Sequence, residues 1–580
     1  MKRLFITICT AALLFSCNKS TKNSEDISLD KKFEKYKEGF VTALWEINPG
    51  WASYVGYHKF DNILVIPDAA ADKKQLDFAN AQLDSLKQYT IEDLSDKNKT
   101  DFYMIKNQLE ATIFSIKELK SSEWDPSGYN VCGSFAEILN GNYDSLEKRL
   151  RAFNTKMNNI PAFYEAAKKN IKNPTVEHTQ LAISQNLGGL SVFQGDLSAA
   201  LEKSKLSATE KEEMLAKAKV SVKIITDYAD WLKKLPNKTP RSFRLGVELY
   251  AKKFNFDIQS GYSADEIFKI AIDHKKDLHN KMFVLADKLW TKYKGNEPKP
   301  ADKLELIKQV IDKISLHHTT PEKFQSVIEK QIPELIAYVK AKKLLYIDPS
   351  KPLVVRKEPA YMAGVAGASI SAPGPYDKNA NTYYNVGSLS GWEADRSESY
   401  LREYNDYIIQ ILNIHEAIPG HYTQLVYSNQ SPSIIKSILG NGAMVEGWAV
   451  YAEKMMLESG YKNSDEMWLM YYKWNLRSTC NTILDISVHT KNMSKEAALD
   501  LLIKEAFQQQ AEAEGKWNRV TLSQVQLCSY FTGYTEIYNL REELKKKQGK
   551  DFNLKQFHEK FLSFGSAPVK YIKELMLSKE

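Results

Sequence analysis

The stretch His415-Glu416-Ala417-Ile418-Pro419-Gly420-His421 constrains this chain more than any other. It sets two imidazoles and a carboxylate close together, the donor types of a zinc hydrolase site. In the ordinary HExxH helix the histidines stand four apart and share one face. Here six steps of about 100° turn through roughly 600°, so on an unbroken helix the rings would diverge. Pro419 supplies the remedy. It has no N–H for the carbonyl of His415, and its ring clashes with that carbonyl. Gly420 then tolerates backbone angles that other residues avoid. The spacing predicts a helix that breaks or bulges, returning His421 to the side of His415, as in a zincin helix with two inserted residues. The plainer alternative makes His415 a helix C-cap and Pro-Gly a turn.

Downstream, Glu446-Gly447-Trp448-Ala449-Val450-Tyr451-Ala452-Glu453 lies within an apolar-periodic run from Ala443 to Leu457. Glu446 and Glu453 fall on one helical face, with Met444, Val445, Trp448, Ala452, Met455 and Met456 filling the buried remainder. A carboxylate on a buried face is costly unless paired or metal-bound. Zinc held by two imidazoles takes a third protein ligand and keeps a fourth position for water. Glu446 is the candidate; a solvated glutamate at a helix start is the ordinary alternative.

These two motifs resemble those of the bacterial domain-of-unknown-function 885 family, whose members look like gluzincin-type zinc metallopeptidases. The resemblance runs from about Phe33 to Leu577 and is weak in the N-terminal half. It implies His415, His421 and Glu446 as zinc ligands and Glu416 as general base. Asp485-Ile486-Ser487-Val488-His489 resembles the family's Asp-x-Gly-x-His element, with Ser487 in place of glycine and Asn481 where an arginine is frequent. Tyr530-Phe531-Thr532-Gly533-Tyr534, followed by Leu540-Arg541, is similar to its C-terminal tyrosine-glycine segment. Read from the residues, Asp485 and His489 are an i, i+4 pair, and an oriented histidine can donate to an oxyanion. The pair could equally be a structural couple. Tyr530 and Tyr534 are further oxyanion candidates among 31 tyrosines.

The N-terminus sets the expected compartment. Lys2 and Arg3 precede an apolar run from Leu4 to Phe15, too short for a permanent span. Residues 1–16 read as a signal peptide, and Leu14-Phe15-Ser16-Cys17 looks like a lipobox that would lipidate Cys17. Residues 17–28 would then tether the body. Asn18 is not the aspartate that resembles an inner-membrane retention signal, which favours an outer-membrane lipoprotein. The remaining Cys132, Cys480 and Cys528 allow at most one disulfide, and no CxxC suggests a sulfur-ligated metal. The net charge of +7 is small for 580 residues, and Lys and Glu are interspersed, so no nucleic-acid partner is expected.

From Lys31 to about Tyr346 the pattern is helical, with apolar spacing of three and four over Ser207–Leu235 and Pro321–Leu345. Ser263-Ala264-Asp265-Glu266 reads as a capping-box start, and Thr320-Pro321 as a capped start. Between Asp348 and Trp392 Pro, Gly, Ala and Ser replace the Lys/Glu background. Leu353–Arg356, Ala368–Ser371 and Thr382–Val386 read there as short strands. After Glu403 helices resume. The expected fold is mainly α: a large helical region over 29–346, then a zincin-like catalytic region over 347–580 with a small β-sheet. The expected function is zinc-dependent hydrolysis of oligopeptides outside the cytoplasm, with water activated by Zn2+ and Glu416. Two alternatives stand beside it. One is a zinc amidase or esterase acting on cell-wall peptides or another non-peptide substrate. The other is a catalytically inactive, peptide-binding lipoprotein.

Overall fold

The structure, a computed structural model, describes residues 28–358, 368–377 and 381–578. The expected signal peptide, Cys17 and nearly all of the tether lie outside the described residues. The architecture is mainly α-helical with one small sheet. Strands β1 (Leu353–Lys357), β2 (Ala368–Ser371) and β3 (Thr382–Val386) form it in the order β1-β3-β2. β3 runs parallel to β1 and antiparallel to β2, with Tyr384 opposite Val355 on one side and Ile370 on the other. All three strands lie where residue type and turn chemistry place them.

Helix starts follow local chemistry. Ser263 and Glu266 close a reciprocal capping box ahead of Ala264–Lys294, and Ser207 and Glu210 do the same ahead of Ala208–Lys234. Along Ala264–Lys294 the buried residues Ile267, Ala271, Leu278, Met282, Ala286 and Leu289 make one stripe. That stripe packs along Asp465–Thr490. At Thr320 the expectation needs correction. A 3-10 turn occupies Pro321–Lys323, the α-helix runs Phe324–Ala341, and Thr320 makes no side-chain cap to the backbone. Its hydroxyl bonds the Glu322 carboxylate instead.

The core does not divide between 346 and 347. One hydrophobic cluster joins Phe33, Trp45, Phe102, Ile267 and Leu335 to Ile414, Trp448, Leu484 and Met576. A second, smaller cluster is built from Leu64 and side chains between Tyr129 and Leu232. The composition change near 348 marks a change of element type. Which helices dock together is decided by long-range packing that composition does not carry.

Two helices at the centre, Gly442–Glu458 and Asp465–Thr490, are buried on nearly every side. The first crosses Cys528–Gln548 at very close range. A Cβ on Gly533 would stand 1.7 Å from the Ala443 carbonyl oxygen, and one on Gly447 2.3 Å from the Gly533 carbonyl carbon. Glycine at both positions is therefore a packing requirement, and it brings the Tyr530 turn alongside Glu446.

Candidate metal centre

His415 lies in the last turn of the helix Ile408–Glu416, and His421 begins the helix His421–Asn429. Between them Ala417 leaves helical angles, the Ile418–Pro419 bond is cis, and Gly420 lies against the preceding turn. A Cβ at Gly420 would fall 1.8 Å from the His415 carbonyl oxygen, so only glycine fits. The Trp448 indole donates to the Pro419 carbonyl at 2.9 Å and pins the break to the Gly442–Glu458 helix. The helix breaks outright rather than bulging.

The break sets the two imidazoles 4.8 Å apart between ring centres at 87°. His415, His421 and Glu446 each offer a donor atom, all within 4.8 Å of one another. Glu446 Oε2 lies 3.3 Å from His421 Nε2 and 3.8 Å from His415 Nε2, yet it is buried and makes no hydrogen bond of acceptable geometry. On the far side of the ring, His415 Nδ1 donates to Glu453 Oε1 at 2.7 Å, and the Trp474 indole donates to the same oxygen at 3.0 Å. With its proton held at Nδ1, His415 turns a lone pair at Nε2 towards Glu446. Two imidazole nitrogens and an orphaned carboxylate oxygen converging on one point is a donor set that fits a zinc ion.

The electrostatics agree. Burial would keep the His415 imidazole neutral, but the carboxylates of Glu446 and Glu453 call for positive charge here and push its pKa up to about 10, a charge that a cation at Nε2 would supply in place of a proton. Burial would raise Glu446, yet the two histidines hold it well below the usual carboxylate range. Glu416, at the helix end beside them, is raised by burial against the pull of both histidines, with Glu446 adding to the rise. A carboxyl raised in this way is matched to taking up a proton. The sheet is tied to the same helix: the Tyr384 hydroxyl donates to Asn413 Oδ1 at 2.9 Å, and β2 packs on Ile408–Glu416.

The other sequence candidates separate. Tyr530 is partly exposed; burial raises its phenol first, and the charge of Glu446 second. Its oxygen accepts from Arg519 at 3.0 Å. Tyr534, one turn on, packs with Phe531, Tyr538 and His274 and senses Glu458 and Arg541 instead. Asp485 and His489 do not join the cluster among the described residues. His489 Nε2 donates to the main-chain carbonyls of Val520 and Ser523. Asp485 accepts from the Tyr250 hydroxyl at 2.7 Å and from the main chain of Val525 and Leu527. The physical reason is burial: both side chains lie inside the protein, where the 520–527 loop supplies their partners. Sequence reasoning gave Glu453 no role, although its seven-residue spacing from Glu446 was the available signal.

Fold and donor set together define a mainly helical protein with a candidate three-residue metal centre. The chain belongs to the DUF885 family of bacterial proteins of unknown function, which matches residues 49–576. A protein from Shewanella oneidensis designated a lipoprotein of unknown function is 53% identical, with a TM-score of 0.85 over 94% of this chain and 99% of its own. A designated lipoprotein from Colwellia psychrerythraea, 17% identical, shares the fold with a TM-score of 0.77 over 96% of this chain and 100% of its own. No functionally curated protein matches.

Proposed function

We propose that this chain is a zinc-dependent peptide hydrolase carried on the cell envelope. The observation that carries the reading is the convergence of His415, His421 and the partnerless Glu446 oxygen beside Glu416. These three residues would hold the ion, and Glu453 would fix the His415 ring. Zinc so held would supply Lewis acidity, making a water acidic near neutral pH and polarising a carbonyl. Glu416 removes the proton of the attacking water and returns it to the leaving amine. Tyr530, whose hydroxyl is already held by Arg519, donates to the oxyanion as it develops. Among the described residues β2 is an edge strand, and its outer side would offer main-chain hydrogen bonds to an extended peptide.

The lipobox at Cys17 and the lipoprotein designation of the Shewanella oneidensis protein support an N-terminal lipid anchor, and Asn18 supports the outer membrane. Among the described residues no helix is long and apolar enough to cross a membrane.

Incubation with a mixed peptide library, with and without chelator, followed by mass spectrometry, tests the reading. Chelator-sensitive cleavage is expected. Peptides left intact by zinc-loaded protein would sink it and leave a binding lipoprotein. Cleavage confined to cell-wall peptides would move the activity to the amidase class.

A further inference from the structure

Near Tyr530 the cations Arg477, Lys516 and Arg519 gather around Glu512, and not every donor among them has a direct partner in the described residues. Glu512, Lys516 and Arg519 occupy one face of the helix Gln510–Leu522. Opposite, Arg477 pairs with Glu512 at 2.5 Å and lies over the Trp474 ring, 4.8 Å from its centre. The Tyr404 hydroxyl also lies against this guanidinium, and its second terminal nitrogen, Nη1, is buried without a hydrogen bond of acceptable geometry among the described residues. Lys516 is 4% exposed, and among the described residues its charge is met only at longer range, by Glu512 and Glu403, with no carboxylate in direct contact. The other carboxylate in reach, Glu403, is held by Lys473 at 2.8 Å. Neither 359–367 nor 378–380 contains an aspartate or glutamate. An ammonium largely withdrawn from water with no carboxylate in direct contact is costly. Burial, with Arg477 and Arg519 alongside, drives the Lys516 amine well below its ordinary value in spite of Glu512 and Glu403.

Two routes connect this cluster with the metal centre. Arg519 donates to Tyr530, which senses Glu446. Trp474, under Arg477, donates to Glu453, the residue that orients His415. Arg519 is exposed, so the cluster opens to solvent at its rim. We propose that Arg477, Lys516 and Arg519 form a subsite for a carboxylate of the substrate, next to the reacting bond. The proposal rests on the peptide-hydrolase reading for the nature of that substrate. A carboxylate matches the planar fork of an arginine and supplies Lys516 with a counter-charge in direct contact. Its source is the C-terminal carboxylate of a peptide or an acidic side chain.

Binding, measured apart from turnover, tests this. The full chain carrying Glu416→Gln is titrated by fluorescence anisotropy with three labelled versions of one oligopeptide. One is the free acid, one the C-terminal amide, and one an amide with an added glutamate. The free acid or the glutamate-bearing amide should bind about tenfold to a hundredfold more tightly than the plain amide. Whichever does so identifies the source. Adding Lys516→Gln or Arg519→Gln should abolish the difference. Equal binding of all three peptides overturns the subsite, as does a preference that survives both substitutions. Should Lys516→Gln lose its native circular dichroism, Arg519→Gln, at an exposed position, decides alone. Hydrolysis of the same peptides by zinc-loaded wild type separates the two readings. Anion-dependent binding without cleavage removes the hydrolase and keeps the subsite, whereas cleavage without anion dependence does the reverse.

Discussion

Of two buried carboxylate–histidine pairs that the chain places on its central helices, Glu453–His415 faces the candidate centre and Asp485–His489 does not. Glu453 and His415 bond directly at 2.7 Å, and the free nitrogen of His415 points at Glu446. Asp485 and His489 interact only through their charges, and His489 donates its remaining proton to the carbonyls of Val520 and Ser523. The first pair crosses between two helices, while the second lies within one. The lesson concerns the far side of the ring. A carboxylate beside a histidine orients it, but its use is set by what the other nitrogen meets: an open donor set in one case, a main-chain loop in the other.

Substitutions break or sharpen this contrast, and the largest effect on turnover is expected at Glu416. Glu416→Gln should lower peptide hydrolysis by up to about 10⁴-fold while zinc content, read by elemental analysis, stays at the wild-type level. Near-normal rates would remove Glu416 as the base. Next comes Tyr530→Phe, expected to cost about a hundredfold in kcat with zinc retained, as for an oxyanion donor. Steady-state kinetics showing only a raised KM would reassign Tyr530 to substrate binding.

Glu453→Gln addresses the first pair itself. Removing the charge behind His415 should weaken zinc about 10- to 100-fold in competition with a chromogenic chelator. Unchanged affinity would mean that the pair is purely structural. His489→Ala should have the smallest catalytic effect. It leaves two carbonyls without their donor and should destabilise the fold by about 1–3 kcal/mol in a denaturant melt, with kcat and zinc content unaltered. A hundredfold loss of kcat at normal stability would return the oxyanion role to His489 and erase the contrast between the pairs.

Much of this is legible in the sequence. Pro419 and Gly420 announce the helix break because the causes, a missing N–H and a missing Cβ, are local. The capping box at Ser263 and the three strands were legible for the same kind of reason. The place of His489 was not. Its i, i+4 spacing from Asp485 holds in the structure, but spacing along a helix says nothing of the 520–527 loop that folds over it.

By itself, then, the sequence determined the mainly helical class, the small sheet and the helix break that turns His421 back towards His415. Each follows from interactions between residues a few positions apart. Only the tertiary structure decided that Glu453 stands behind His415, that Tyr530 rather than Tyr534 senses Glu446, and that Lys516 is buried with no carboxylate in direct contact among the described residues. These depend on how helices far apart in the chain dock, as where Gly447 meets Gly533. Such docking is governed by shape and burial summed over the whole core, which no short stretch of sequence contains.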